Sequence, residues 1–247
     1  MHLAIIKIFW ALFLTNSMIS YRCFLFDLDN CLIEYPDMNS YFDRLLVDTF
    51  RKFGLVVPSP EARMMLWDNI DNYHDLFAQW GIPDAREFWD VFDDIDVLQR
   101  QEDIRNGKIR LFQDCIPILN ELRSVERQTA LISNSPGHIV ETIVDEFQLE
   151  PYFDYVLKVD YHDDNHTEIV KPKPGGILAA LDALNCGRGR CAVLIGDAIS
   201  DIEAAKRANI HACLLNRNGC TYDVEKLKEF VPDYEISSLL ELKDFLR

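Results

Sequence analysis

The sequence has few positively charged residues for its length. Its 247 residues include 25 Lys and Arg against 41 Asp and Glu, so the formal net charge is −16 at pH 7. A chain this acidic is repelled by the phosphate backbone of nucleic acids and by anionic membrane surfaces. We therefore expect no nucleic-acid partner and no requirement for a membrane. Any anionic ligand needs a local group of cations to hold it.

The cysteines lack any pattern that would pair them. There are seven, an odd number with no Cys-x-x-Cys spacing, and several lie within apolar runs, where a thiol behaves as a small apolar side chain. This favours reduced thiols and a cytoplasmic location over a disulfide framework. It also gives little support to a metal site built from thiolates.

Long hydrophobic runs are absent as well. The apolar stretch at residues 8–14 is too short to span a bilayer. Its length would suit the core of a signal peptide, with Thr15-Asn16-Ser17 as a passable cleavage site, but Lys7 interrupts the apolar run. We interpret residues 1–17 as an N-terminal apolar extension, or as the result of a true start at Met18, and leave secretion or anchoring open.

The sequence does contain a series of short apolar runs, each followed by polar residues. These runs span residues 23–26, 129–132, 156–159, 192–195 and 212–215. Between them, apolar residues recur at helical spacing, as at Ile139, Ile143 and Phe147. Such runs are typical of buried parallel strands, and strand–helix alternation builds right-handed βαβ units. The pattern therefore predicts an α/β fold with a doubly wound, Rossmann-like parallel sheet.

Residues 36–108 interrupt this alternation and hold three of the four tryptophans. Helical spacing occurs here in three segments, at residues 39–50, 61–77 and 85–105. Asn39 and Ser40 are plausible N-caps of the first segment. We predict that this region is a helical cap inserted into a core formed by residues 18–35 and 109–247.

The polar residues that follow the predicted strands suit one kind of chemistry. They are Asp27 and Asp29 after the first run, Ser133 and Asn134 after the second, Lys171 in "KPKP", and Asp197 and Asp201 after the fourth. The carboxyl ends of parallel strands meet at one edge of a sheet, so we expect these side chains to converge. Grouped carboxylates suit Mg²⁺, while a hydroxyl, an ammonium group and helix N-terminal amides bind anions. The combination suggests phosphoryl transfer assisted by a metal ion.

Four segments then carry a family resemblance across residues 22–215. "FDLDNCL", "LISNS", "KPKP" and "GDAISDIEAA" resemble, in order, the four motifs of the haloacid dehalogenase superfamily of phosphohydrolases. One such motif arises easily by chance, but four in order at predicted strand ends are specific. The helical insertion after the first motif is similar to the C1-type cap of the phosphoglycolate phosphatase-like branch.

The resemblance implies a role for each of these residues. Asp27 would be the nucleophile that forms an aspartyl phosphate, and Asp29 the general acid and then the base for the attacking water. Ser133, the adjacent Asn134 amide and Lys171 would bind the phosphate. The ligands of Mg²⁺ would be Asp27, the backbone carbonyl of Asp29, and Asp197. Asp201 would support the metal shell from the second coordination sphere or simply favour the N-terminus of its helix.

The expected function is that of a Mg²⁺-dependent phosphatase acting on a small phosphorylated metabolite. Asp29 argues against dehalogenase activity, because dehalogenases of this superfamily need no acid two residues after the nucleophile. A phosphosugar mutase and a catalytically lapsed binding protein of the same fold are the alternatives. Substrate specificity would lie in the cap, around Trp67, Tyr73 or His74, and the sequence indicates neither the substrate nor the oligomeric state.

Other polar residues receive ordinary structural interpretations. Lys173 is expected to be a surface charge, and His138 to be packed or exposed on a helix. Residues 161–168 are expected to form a solvated loop over the site, and residues 216–219 a turn. Cys31 stands where the family usually has Thr or Val; a thiol beside the nucleophile would make activity sensitive to oxidation, unless burial makes it inert.

Overall fold

A computed structural model of the protein describes residues 21–68, 73–187, 189–217 and 229–246. The predicted N-terminal extension at residues 1–17 and Cys220 lie outside the described residues. Within the described part of the chain, no helix is both long enough and apolar enough to cross a bilayer.

Strands and helices alternate along most of the chain. The strands are β1 (Cys23–Phe26), β2 (Ile33–Glu34), β3 (Arg110–Leu111), β4 (Gln128–Leu131), β5 (Tyr155–Val156), β6 (Gly189–Gly196), β7 (Ile210–Leu215) and β8 (Tyr234–Ile236). The α-helices are α1 (Met38–Lys52), α2 (Pro60–Asp68), α3 (His74–Gln79), α4 (Ala85–Arg105), α5 (Cys115–Ser124), α6 (Gly137–Glu146), α7 (His166–Ile169), α8 (Gly175–Ala183) and α9 (Ile199–Arg207). Two 3-10 helices span Glu150–Tyr152 and Leu239–Leu246.

Six strands form one parallel sheet in the order β5-β4-β1-β6-β7-β8. β1 lies near the middle, with Leu25 opposite Ala130 of β4 on one side and Leu194 of β6 on the other. The chain adds strands outward from β1 first in one direction and then in the other, so right-handed crossovers place helices on both faces. The predicted doubly wound parallel sheet is confirmed, and its switch point lies between β1 and β6.

The sheet differs from the predicted strands at its two edges. Of the third predicted run, residues 156–159, only Val156 pairs with β4, together with Tyr155 before it, although Leu157 and Val159 are buried. The sixth strand, β8, was not predicted. It has three residues, of which only Ile236 is buried, so it carries no continuous apolar run.

The described residues form two compact units. The sheet unit contains residues 21–32, 112–134 and 149–246, and the helical unit contains residues 33–111 and 135–148. The bounds predicted for the cap, 36–108, are narrower than the helical unit. Helix α6, which was assigned to the core, packs with α4 in the helical unit. The assignment of residues 36–108 as an inserted cap stays a prediction.

Within the helical unit, the starts of the helices follow local capping chemistry. α1 begins two residues earlier than the predicted caps imply, because Asp37 accepts a hydrogen bond from the Ser40 amide at 3.1 Å. Asp84 caps α4 in the same way through the amides of Arg86 and Glu87. The segment predicted as one helix at 61–77 contains two, α2 and α3, and residues 69–72 between them lie outside the described part.

One cysteine pair departs from expectation. A disulfide joins Cys23 of β1 to Cys186, which follows α8. The prediction of reduced thiols is wrong for this pair. Among the described residues, the free cysteines are Cys31, Cys115, Cys191 and Cys213. Since disulfides persist mainly in oxidising environments, the cysteines no longer support the predicted cytoplasmic location.

Candidate active site

The carboxyl end of β1 places Asp27 at the switch point of the sheet. The Asp27 amide donates a hydrogen bond to the Ile195 carbonyl at 2.9 Å, and the Ile132 amide donates to the Phe26 carbonyl at 2.8 Å. These bonds bring the ends of β1, β4 and β6 to one level, so the residues that follow each strand lie around Asp27. The convergence expected from parallel strands is observed for the residues after β1 and β6.

Lys171 connects two of these carboxylates. Its ammonium group forms an ion pair with Asp27 Oδ1 and another, at 2.6 Å, with Asp201 Oδ1. All three side chains are buried, and Asp201 is inaccessible to solvent. Ion pairs in such a low-dielectric environment hold their partners tightly. A cation from a distant loop is therefore fixed against the proposed nucleophile.

Asp201 is held on its other side by its own helix. Its Oδ2 accepts a hydrogen bond from the Ala198 amide at 2.9 Å, which satisfies a free donor at the N-terminus of α9. Both oxygens of Asp201 thus have partners. The side chain also passes so close to Gly196 that a Cβ added there would lie 2.2 Å from Asp201 Cγ. Glycine at the end of β6 is what allows this approach.

Three carboxylates of the site form a candidate metal centre. One oxygen each of Asp27, Asp197 and Asp201 lie within 4.8 Å of one another. Together with Lys171, these three carboxylates carry a net charge of −2 when all four groups are ionised. Hard carboxylate oxygens and an excess negative charge fit a small divalent cation such as Mg²⁺. Because both oxygens of Asp201 are already bonded, Asp27 and Asp197 are the better placed ligands.

The electrostatics of the cluster follow from this crowding. Burial raises the pKa of Asp27 above its ordinary value; Lys171 opposes this effect, and the charges of Asp201 and Asp197 add to it. Burial raises the pKa of Asp197 to about 7, and the charge of Asp201 contributes. The pKa of Lys171 is raised above its ordinary value, because its two carboxylate partners outweigh the opposing effect of burial. A bound cation would counter these effects by favouring the ionised carboxylates.

Asn134 ties the second motif to Lys171 through a reciprocal pair of hydrogen bonds. Its side-chain amide donates to the Lys171 carbonyl at 2.7 Å, and its Oδ1 accepts from the Lys171 amide at 2.8 Å. Ser133, directly before it, is buried at the end of β4. The structure thus joins the second and third motifs by a contact that the sequence did not predict.

Comparison with known proteins assigns the family. A model of haloacid dehalogenase-like hydrolases matches residues 21–209. The chain belongs to the haloacid dehalogenase-like hydrolase family. Relatives named phosphoglycolate phosphatase are similar to part of the chain, which agrees with the resemblance to that branch.

The relatives of this haloacid dehalogenase-like hydrolase cover part of the chain. It is 30% identical over 129 residues to a phosphoglycolate phosphatase from Aquifex aeolicus, across 51% of this chain and 55% of the relative. It is 27% identical over 138 residues to (S)-2-haloacid dehalogenase 2 from Pseudomonas sp., across 56% of each chain. CbbY from Rhodobacter sphaeroides, solved in complex with phosphate, shares the fold with a TM-score of 0.69 and 19% identity, over 90% of this chain and 96% of that chain. The chain spans about half the length of the curated relatives that it matches.

Asp29 follows Asp27 by two residues in this haloacid dehalogenase-like hydrolase. It is partly exposed, whereas Asp27 is buried. Next to it, Asn30 adopts a left-handed backbone conformation with φ of 58°, which Asn tolerates better than most residues. The Asn30 side chain hydrogen-bonds Asp197. Sequence analysis did not predict this contact. The sequence feature that could have indicated it is an Asn directly after the Asp-x-Asp pattern.

The loop expected to be solvated also reaches the site. Tyr161 is 43% exposed, yet its hydroxyl donates a hydrogen bond to the Asn134 carbonyl at 2.7 Å. The ring of His166 lies against it, with ring centroids 5.0 Å apart. Most other residues of the loop are exposed, as expected. Tyr161 was missed because an aromatic residue in an acidic, polar run gives no signal of where its hydroxyl points.

The remaining interpretations concern side chains outside the cluster. His138 is half exposed, with Nε2 3.8 Å from Asp93 Oδ2 within the helical unit. Trp67 packs in the helical unit with Phe42 and Trp89. Cys31 is buried and its thiol lies 3.7 Å from the Ile195 carbonyl. Burial also raises the pKa of that thiol, so the structure favours an inert Cys31 over an oxidation-sensitive one.

Proposed function

We propose that this protein is a Mg²⁺-dependent phosphatase that hydrolyses small phosphomonoesters through an aspartyl phosphate on Asp27. The observation that carries the proposal is the buried contact of Asp27 with Lys171, made at the switch point beside Asp197 and Asp201. A carboxylate between an ammonium group and a cation site is arranged to approach a phosphoryl group that would otherwise repel it.

In this mechanism Asp27 attacks the phosphorus atom and the ester oxygen leaves. Lys171 lies against the attacking carboxylate and neutralises charge on the phosphoryl oxygens. Ser133 and the amide of Asn134 hydrogen-bond the phosphate. Asp27, the carbonyl of Asp29, and Asp197 would hold Mg²⁺, which supplies further charge neutralisation. Asp201 acts by fixing Lys171.

Asp29 supplies and removes the protons. As a general acid it protonates the leaving oxygen; as a base it then takes a proton from the water that hydrolyses the aspartyl phosphate. Its partial exposure supports this role, because a group that donates a proton to the leaving oxygen and then takes one from water needs access to both. The cycle returns Asp27 to its carboxylate form and releases inorganic phosphate.

Relatives named phosphoglycolate phosphatase support a small phosphorylated metabolite as the substrate class. The relative named as a haloacid dehalogenase makes carbon–halogen cleavage the competing activity to exclude. Asp29 favours phosphate ester hydrolysis, since a halide leaving group needs no proton.

The proposal is tested with the full chain, Mg²⁺ and a panel of phosphorylated metabolites, with release of inorganic phosphate as the readout. We expect turnover that EDTA removes, and a loss of at least about a thousandfold in kcat for Asp27→Asn, because the nucleophile is gone. Lys173→Gln, outside the cluster, serves as the control and should retain activity.

Other outcomes would replace the proposal. Halide release from a 2-haloacid without phosphate release would identify a dehalogenase. Conversion of a sugar 1-phosphate to the 6-phosphate would identify a mutase. Tight binding of a phosphorylated metabolite without turnover, unaffected by Asp27→Asn, would indicate a binding protein.

A further inference from the structure

The segment after the nucleophile carries Asp29 and is held by several contacts of the sheet unit. The Leu32 amide donates to the Leu28 carbonyl at 2.9 Å, which closes a tight turn around the left-handed Asn30. The Phe112 amide donates to the Leu32 carbonyl at 2.9 Å. The carbonyl of Cys31, two residues after Asp29, therefore belongs to a segment whose position sets that of the proposed general acid.

Arg217 binds that carbonyl from the other end of the sequence. Its Nη2 donates a hydrogen bond to the Cys31 carbonyl at 2.9 Å. The same guanidinium forms two 2.9 Å hydrogen bonds to the carboxylate of Asp114. It also lies over the ring of Phe112, 3.8 Å from the ring centroid. The interpretation of residues 216–219 as a simple turn assigned no partner to Arg217.

Asp114 is itself anchored, so the guanidinium has a fixed support. Besides Arg217, its carboxylate accepts hydrogen bonds from the Ser238 hydroxyl at 2.7 Å and the Leu239 amide at 2.8 Å. Burial acts to raise the pKa of Asp114, but its hydrogen bonds with Arg217 and Ser238 hold that pKa below its ordinary value. The carboxylate thus stays ionised, and the side chains of the Arg217–Asp114 pair are only 13% and 10% exposed.

We propose that Arg217 is a positioning residue for Asp29, acting through the Cys31 carbonyl. This inference rests on the proposed function, in which Asp29 protonates the leaving oxygen. The planar guanidinium bridges Asp114 and the Cys31 carbonyl with fixed donor directions, which an ammonium group does not reproduce. Without it, the Cys31 carbonyl loses a buried donor and the turn around Asp29 is free to shift. A shift of about 1 Å at a proton donor is enough to lower the rate substantially.

The test compares two aryl substrates of similar shape, p-nitrophenyl phosphate and phenyl phosphate, through kcat/KM. Phenolate is the more basic leaving group and depends more on protonation by Asp29. We expect Arg217→Lys and Arg217→Gln to lower kcat/KM for phenyl phosphate by roughly tenfold or more, and for p-nitrophenyl phosphate by only about twofold. An equal loss on both substrates would show a general structural role and overturn the inference.

Asp29→Asn separates this inference from the proposed function. It should show the same selectivity for the leaving group in stronger form, because the proton donor itself is removed. If Asp29→Asn is selective and the Arg217 variants are not, the positioning role fails alone. If Asp29→Asn is not selective, the acid role and the positioning role both fail. Retention of activity by Asp27→Asn would reject the proposed function as a whole.

Two further variants complete the design. Arg51→Gln removes an exposed arginine that pairs with nearby Asp48, and it should leave both substrates within about twofold of the parent. Should Arg217→Gln fail to fold, Asp114→Asn tests the same chain of contacts. It weakens the support of the guanidinium and is expected to give a smaller selective loss. An equal loss on both substrates would again count against the inference.

Discussion

At the scale of single residues, the site depends on close approaches that leave no room for a larger side chain. Gly196 ends β6 directly before Asp197, and the carboxylate of Asp201 occupies the space where a Cβ of residue 196 would lie. Asp201 in turn orients Lys171, whose second partner is Asp27. A single methyl group at Gly196 would therefore act on the nucleophile through two intervening side chains.

We expect Gly196→Ala to move Asp201 and to destabilise the fold by about 1–3 kcal/mol, the usual effect of overpacking. Phosphatase activity should fall by more than this loss of stability explains, because Lys171 loses its fixed partner. Urea unfolding gives the stability, and kcat on the best substrate of the panel gives the activity.

Gly187→Ala is the matched control. An added Cβ there would meet only Cys191 Sγ, at 3.9 Å, which is ordinary van der Waals contact. Parent-like stability and activity are expected for this variant. If Gly196→Ala behaved in the same way, Asp201 would have to be more mobile than its contacts indicate.

At the scale of secondary structure elements, α4 shows how charge is buried in the helical unit. Along this helix, Asp96 and Arg100 are both buried and pair at 2.7 Å. The hydroxyl of Tyr41 on α1 also donates to Asp96, and Arg100 reaches Tyr35. A buried pair of this kind is tolerable only with such additional partners. This acidic helix thus contributes charged side chains to the interior of the helical unit.

The ionised form of Asp93, one turn before Asp96, is destabilised by this arrangement. Burial and the charges of Asp96 and Asp90 raise its pKa from 3.8 to about 7, against the opposing charge of Arg100. The folded state therefore binds a proton that the unfolded state releases, and the contribution of Asp93 to stability declines as the pH rises from about 4 to about 7. We expect Asp93→Asn to match the parent near pH 4 and to become increasingly more stable than it up to about pH 7, with no further gain above.

Denaturant unfolding of parent and variant across this pH range measures the effect. Glu102→Gln, at an exposed position of the same helix, is the control and should give a difference that does not depend on pH in this way. If the difference in free energy of unfolding between Asp93→Asn and the parent did not change with pH, the pKa of Asp93 would not be raised in the folded protein.

Secondary structure was predicted best where local chemistry decides it. α4 was predicted at residues 85–105 and spans Ala85–Arg105, because its apolar spacing is long and Gly81-Ile82-Pro83 ends the preceding helix. The start of α1 was misplaced since three neighbouring residues are all acceptable N-caps, and only the backbone conformation selects Asp37. The short strand β8 was not predicted, because it is a strand through its pairing with β7 and its own sequence carries no strand pattern.

At the scale of the whole molecule, one covalent link joins distant parts of the sheet unit. The disulfide between Cys23 and Cys186 closes a loop with a sequence separation of 163 residues, which includes the main segment of the helical unit. In the chain-entropy model, a loop of this size restricts the unfolded state by up to about 5 kcal/mol. Reduction of this disulfide should therefore lower the free energy of unfolding, and the effect should extend beyond β1.

We expect a thiol-free reductant to lower the thermal unfolding midpoint of the parent by several degrees, with about 2–4 °C for each kcal/mol lost. Calorimetry with and without the reductant measures the shift. Cys186→Ser should already unfold at the lower temperature and should not respond to the reductant. An unchanged midpoint for the parent would show that the bond contributes nothing to stability in solution.

What the sequence alone determined is the fold class and the identity of the chemical groups. The short apolar runs predicted the parallel sheet, and the motifs that follow two of them placed Asp27 and Asp197 at one edge of it, because apolar runs and the residues that end them are local properties of the sequence. Tertiary structure alone decided which groups touch: Lys171 with Asp201, Asn30 with Asp197, and Arg217 with Cys31. These contacts join residues separated by 30 or more positions, or by most of the chain, and they depend on distances that only the packed sheet sets.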